Sequence, residues 1–203
     1  MGDTRERILE ASAELFRRQG YVGTGMNQIV AEAQAALGSI YHFFPGGKQQ
    51  LGAEAIRRSG ELYDALIDTV FDAAPDVVAG VGDFFRGAAE HLEVTGFADA
   101  CPIATVALEV ASTDETLRRA TADVFERWTA NAAARFRRAG MPPARAQRVA
   151  TLLLALLEGS FVLCRAARST EALRVAEHEA VALVITALRL AADDAPLPTG
   201  SPR

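Results

Sequence analysis

Lysine is nearly absent from this sequence: its 203 residues contain one, Lys48, against 20 arginines. Cysteine is scarce as well. Cys101 and Cys164 are too few for a disulfide framework and lack metal-ligand spacing. Basic charge is not in excess, since 21 Lys and Arg face 26 Asp and Glu for a net charge of −5. That balance excludes a generally basic nucleic-acid coat but leaves room for a small local DNA surface. Long hydrophobic runs are missing too: the most apolar stretch, Val149 to Cys164, falls short of a membrane span and carries Glu158 inside it. β-strand alternation and internal repeats are lacking. The opening Met1-Gly2-Asp3-Thr4-Arg5-Glu6 runs straight into a charged amphipathic segment rather than a secretory leader. Glu6 stands where a myristoylation signal needs Ser or Thr. The expectation is a soluble cytoplasmic protein with no membrane partner.

Catalytic constellations are equally thin. His42, His91 and His178 lie far apart, outside any HExxH or CxxC arrangement, so no metal is expected. Gly46-Gly47-Lys48 lacks the spacing and the preceding strand of a phosphate loop, and no Gly-x-Ser-x-Gly run occurs. No catalytic residue and no cofactor is expected, and the chain is not read as an enzyme.

What is abundant is alanine, 40 residues of it against 8 prolines. Alanine has the best helix propensity, so the composition points to an all-α fold. Asp3 with Glu6 three residues on reads as a capping box, Ile8, Leu15 and Phe16 share one face, and Gly20 closes the first helix. Thr24 reads as the N-cap of a second short helix bearing Met26, Ile29 and Val30. After a break at Gln34-Ala35, a third helix runs from Leu37 to Phe43 and stops at Pro45-Gly46-Gly47. Longer helices follow at about 48–72, 76–95, 102–111, 114–139, 144–167 and 171–192, with breaks at Pro75, Gly96 and Gly140 to Pro143. The tail 193–203, rich in proline, is expected to be disordered.

Three short helices in about forty residues, with a tight turn before the third, fit a helix-turn-helix. Gly38-Ser39-Ile40-Tyr41-His42 places a residue without a side chain beside a hydroxyl, a phenol and an imidazole, groups suited to phosphates and base edges in a major groove. Ile40 and Phe44, four apart, would face the protein. Residues 1–58 carry a net charge of +1, from seven basic and six acidic residues, and the remainder is acidic.

The run Gly20-Tyr21, Thr24, Ile29, Ala33, Gly38-Ser39-Ile40-Tyr41, Phe44-Pro45-Gly46-Gly47-Lys48 and Leu51 resembles the N-terminal domain of the TetR family of transcriptional regulators. Together with Cys101-Pro102-Ile103-Ala104 and Leu157-Glu158-Gly159, the Pro-Gly-Gly-Lys ending resembles the subgroup typified by LmrA and YxaF. The resemblance implies a helix-turn-helix DNA-binding domain over 1–47 and a helical ligand-binding and dimerisation domain over 48–192. It implies DNA contacts from Thr24, Asn27, Leu37, Gly38, Ser39, Tyr41, His42 and Lys48. Ala36 and Leu37 depart from the polar or basic residues usual there, and Phe43 replaces a common histidine. One N-cap is thereby lost, and the alternative reading is a ligand- or partner-binding module with a decayed DNA head.

The last two helices are apolar on more than one stripe, so each needs cover on both sides. Leu152, Leu153 and Leu156, with Val181, Val184 and Leu188, are read as a homodimer interface setting two reading helices one DNA turn apart on a palindromic operator. Phe84, Phe85, Phe97, Phe125, Trp128 and Phe161, with Cys101 and Glu109, are read as lining a pocket for a small apolar effector. Glu109 and Glu158 interrupt apolar runs. A buried carboxylate is costly unless paired, and Arg165 or Arg168 is the expected partner of Glu158. The segment 48–72 contains no proline and two glycines, and Gly60→Ala is expected to leave it intact.

Overall fold

The computed structural model describes residues 2–99 and 101–193, and every regular element in them is helical. In chain order these are α1 (Gly2–Gln19), α2 (Met26–Glu32), α3 (Leu37–Phe43), α4 (Gly47–Ala73), α5 (Val77–Val94), α6 (Pro102–Val110), α7 (Glu115–Arg138), α8 (Pro143–Ala167) and α9 (Glu171–Asp193). Each expected helix is present within a residue or two of its expected ends. Of the expected tail, all but Asp193 lies outside the described residues. Asp3 falls inside α1 rather than before it, and its side chain is likewise outside them.

Local chemistry sets these boundaries. Gly20 closes α1 at φ +78°, its N–H donating to Phe16 O at 3.0 Å. Asp76 and Asp114 cap α5 and α7 by accepting from Ala79 N at 2.8 Å and Leu117 N at 3.0 Å. Thr24, expected to cap α2, does not. Gly25 holds the N-cap position, and Gln28 Oε1 accepts from its N–H at 2.7 Å. Thr24 instead turns inward, donating to Gly20 O at 2.6 Å, because the chain needs its hydroxyl to satisfy the turn behind it.

Two apolar cores hold the molecule. The first begins with Ile8, Phe16, Ile29, Ile40 and Phe44, then continues through Leu51 and Ile56 to Ile103, Leu117 and Trp128. It therefore crosses the expected domain boundary without interruption. The second gathers Val81, Phe85, Phe136, Val149, Leu153, Leu173 and Val184 from α5, α7, α8 and α9. Phe71, Phe84 and Phe161 pack against both. The α8 helix has a stretch of mean hydropathy 1.8, long and apolar enough to cross a membrane by composition alone, yet it packs on α7 and α9 with Val149, Leu153 and Leu157 in the second core.

A polar seam joins α4 to α7. Arg127 bonds Asp64 at 2.5 Å, Asn131 bonds Asp68 at 3.1 Å, and Arg135 reaches Asp68 at 2.6 Å and Asp72 at 2.8 Å. At its head, Trp128 Nε1 donates to Gly60 O at 3.1 Å. Gly60 is there because the helices nearly touch: a Cβ would lie 2.7 and 2.9 Å from the Val124 methyls and 2.6 Å from Arg127 Nη2. The expectation that alanine fits at this position is thus overturned by packing.

Candidate functional site

The first candidate surface is the end of the molecule formed by α2 and α3. Gln34 adopts φ +48° after α2, and Ala35 N donates to Val30 O at 2.9 Å, which turns the chain sharply into α3. Ile40 and Phe44 are fully buried. Their burial fixes the rotation of α3, so Leu37, Gly38, Tyr41 and His42 face outward, with Tyr41 53% exposed. Asn27 on α2 is exposed, and Ser39 is half-buried. Ala36 occupies the N-cap of α3 and supplies no side-chain bond.

Thr24 does not join this surface: it is 1% exposed, and Gln19 Nε2 donates to its hydroxyl at 3.2 Å. Lys48, in the first turn of α4, holds its ammonium 4.3 Å from the Tyr21 ring centre. Burial against that ring lowers its pKa, and the Glu109 carboxylate partly restores it.

Glu109, expected in the pocket, is not among its lining residues. It sits near the end of α6 and accepts from Val22 N at 2.9 Å, gripping the turn between α1 and α2. Its carboxylate lies so close to Gly20 that no Cβ fits there.

The second candidate is a cavity of about 680 Å³ enclosed by α1, α4, α5, α7, α8 and the start of α6. Phe84, Phe85, Cys101, Trp128 and Phe161 line it. Phe97 and Phe125 do not. Phe97 sits at φ +63° in the turn after α5, where its carbonyl accepts from Arg165 Nε at 3.3 Å. Phe125 stands behind Trp128 in an edge-on contact, ring centres 5.9 Å apart. Lining residues that the sequence reading missed include Tyr63, Phe71, Arg17, Asp99 and Glu158. The i, i+3, i+4 spacing of Glu10, Ala13, Glu14 and Arg17 on α1 was the available signal for that wall.

The polar groups of the cavity cluster at one side. Asp99, 5% exposed, is paired with Arg17 at 2.6 Å, and Arg17 is also bound to Glu14. Burial pushes the Tyr63 phenol up to about 12 and the Cys101 thiol well above its ordinary value, the latter helped by neighbouring Glu158. Burial likewise lifts Glu158 to about 7, only partly offset by a hydrogen bond from the Cys101 thiol. The expected arginine partner is not there: Arg165 turns to the Phe97 carbonyl, and Arg168 is the exposed left-handed residue ending α8.

The assigned dimer residues divide. Leu152 is 55% exposed, but Leu153 and Val184, at 8% and 0%, belong to the protomer's own core. Leu156, Val181 and Leu188 are half-buried against that same core. The outward apolar positions of α8 and α9 are instead Leu152, Val162, Leu163, Val175 and Leu190.

A helix-turn-helix with an outward third helix, joined through a shared core to a helical body that holds a cavity, has the architecture of a DNA-binding regulator. The family model for bacterial regulatory proteins of the tetR family matches residues 8–55, and that for the LmrA/YxaF-like C-terminal domain matches residues 77–179. The chain belongs to the TetR family of transcriptional regulators, in its LmrA/YxaF-like subgroup. It is 36% identical to the HTH-type regulator YxaF of Bacillus subtilis over 162 residues, covering 80% of this chain and 85% of that one. To LmrA of the same organism it is 34% identical over 169 residues, covering 83% and 90%. The fold is also that of a TetR regulatory protein from Rhodobacter sphaeroides, with a TM-score of 0.79 at 23% identity, covering 88% of this chain and 97% of that one.

Proposed function

We propose that the protein is a cytoplasmic repressor that binds a palindromic operator as a homodimer and is released by a small, largely apolar ligand entering the cavity. On this reading residues 1–47 are the DNA-binding part and 48–192 the sensing and dimerising part. The observation that carries it is the shared wall. The helix α1 lines the cavity with Ala13, Glu14 and Arg17, while Ile8 and Phe16 of the same helix lie in the core that seats α3. A ligand that spreads this wall tilts the reading helix. It shifts the equilibrium only by its difference in affinity for the two states, and DNA must weaken ligand binding by the same factor.

Exposed α8 residues Leu152, Ala155, Gly159, Val162 and Leu163 form the apolar, small-residue stripe on which a second copy would pack. The deciding experiment measures binding to the DNA upstream of its own gene, at stated salt, with and without an aromatic ligand that quenches Trp128. Operator binding that falls as ligand saturates supports the reading. Ligand binding without effect on DNA removes the release mechanism, and absence of DNA binding favours the decayed head.

A further inference from the structure

Among the described residues, no cationic side chain pairs with the Glu158 carboxyl. It lies on α8 at the wall of a cavity whose other lining is dominated by rings, among them Tyr63, Phe71, Phe84 and Trp128. A buried carboxylate without a counter-charge is destabilising, and its cost is relieved by a donor or by a cation.

The charge balance of the cavity decides which ligand supplies that relief. Glu10, Glu14, Asp83, Asp99 and Glu158 are acidic lining residues, and Arg17 with His91 is the basic complement. Arg17 is already held by Glu14 and Asp99, and His91 Nε2 stands 3.5 Å from Asp99. An anion entering the cavity therefore meets a negative field with its one arginine engaged. A cation meets Glu158 and a lining rich in aromatic rings, and both attract it.

We propose that the effector of this cavity is a lipophilic cation: an apolar aromatic skeleton carrying one protonated nitrogen, which pairs with Glu158. This rests on the reading of the cavity as the effector site. Cys101 at the start of α6 and Tyr63 on α4 interact with Glu158, and the other titratable or charged groups lining the cavity are Glu10, Glu14 and Arg17 on α1, Asp83 and His91 on α5, and Asp99 before α6. Cys101 and Tyr63 stay protonated near neutrality, because burial raises both. Glu14 and Asp99 are engaged by Arg17 and Asp83 by Arg86, so the ligand's charge is met by Glu158.

A matched set of probes tests this: naphthylmethylammonium, methylnaphthalene and naphthoate, titrated into the full-length protein by calorimetry with Trp128 fluorescence as the local reporter. The cation is expected to bind about tenfold or more tightly than the neutral probe, and the anion weakest. Glu158→Gln should erase the cation's advantage over methylnaphthalene. In the wild-type protein, independently of any variant, cation affinity should rise from about pH 6 to about pH 8 as Glu158 ionises, and neutral-probe affinity should stay level. A cation that binds no better than methylnaphthalene, an advantage that survives Glu158→Gln, or a flat pH profile overturns the proposal and leaves the cavity as an effector site for other chemistry. If no probe binds and Trp128 does not respond, the effector-site reading fails with it.

Discussion

Gly38 stands in the first turn of α3 with no positive φ, and a Cβ built on it meets nothing within 4 Å. Nothing inside the protein asks for glycine there, and glycine in a helix costs about 1 kcal/mol relative to alanine. On the proposed reading, the demand comes from DNA that approaches the backbone of α3 closely. Gly38→Ala is expected to raise thermal stability slightly and to weaken operator binding, read by melting and by DNA titration on the same preparation. Equal DNA affinity would remove Gly38 from the reading surface. Glu158 makes the opposite trade. Its carboxyl is raised from an ordinary 4.5 to about 7 in the folded protein, so the folded state binds the proton more tightly than the unfolded one. That contribution is fully present below about pH 4.5 and is lost as pH rises through about 7, a difference of about 3 kcal/mol. Ligand-free Glu158→Gln should therefore gain stability over the wild type at about pH 8 and little at about pH 4.5, measured by denaturant unfolding. The sequence made Glu158 visible as a carboxylate in an apolar run. That Arg165 would turn away to a carbonyl in the α5–α6 turn was invisible, because it depends on where Phe97 places its backbone.

At the level of helices, the order and ends of the elements were legible almost completely, since alanine-rich segments punctuated by Gly, Pro and Asp leave few alternatives. What the pattern could not carry was contact between helices. Gly60 reads in sequence as a weak point that alanine would improve by about 1 kcal/mol. In the fold it is the crossing point of α4 and α7, where overpacking costs about 1–3 kcal/mol and outweighs the propensity gain. Gly60→Ala should lower the melting temperature and shift Trp128 emission, because the indole bonds the carbonyl of that residue. Glu109 was misplaced for the same reason. As a carboxylate interrupting an apolar run it reads as pocket lining, but α6 starts at the cavity and ends at the Val22 amide of the head. Glu109→Ala should leave ligand affinity unchanged while reducing the factor by which ligand weakens DNA binding. An unchanged factor would show that coupling bypasses the end of α6.

Across the whole molecule, the double apolar stripe of α8 and α9 called for two covers. One is the protomer's own core, which claims Leu153 and Val184. The other, over Leu152, Val162, Leu163, Val175 and Leu190, is open in a single copy. Helical periodicity alone cannot say which stripe faces inward, so the interface residues read from sequence fell on both sides. Light scattering should give the mass of a dimer at micromolar concentration, and Leu152→Glu with Leu163→Glu should halve it without loss of helicity by circular dichroism. A wild-type monomer would leave the operator without its two-fold reader.

Because Ala13, Glu14 and Arg17 of α1 form part of the cavity wall, with Arg17 paired to Asp99, the DNA reader and ligand sensor of the proposed function are not interchangeable cassettes. Grafting a foreign recognition unit onto this body, as one would to build a biosensor with a new promoter address, imports a foreign floor for the cavity. The graft changes what the sensor tastes as well as where it sits on the genome. A working chimera therefore has to splice at the α2–α3 surface and retain α1, and relatives that share an operator but differ at positions 13, 14 and 17 should answer to different compounds.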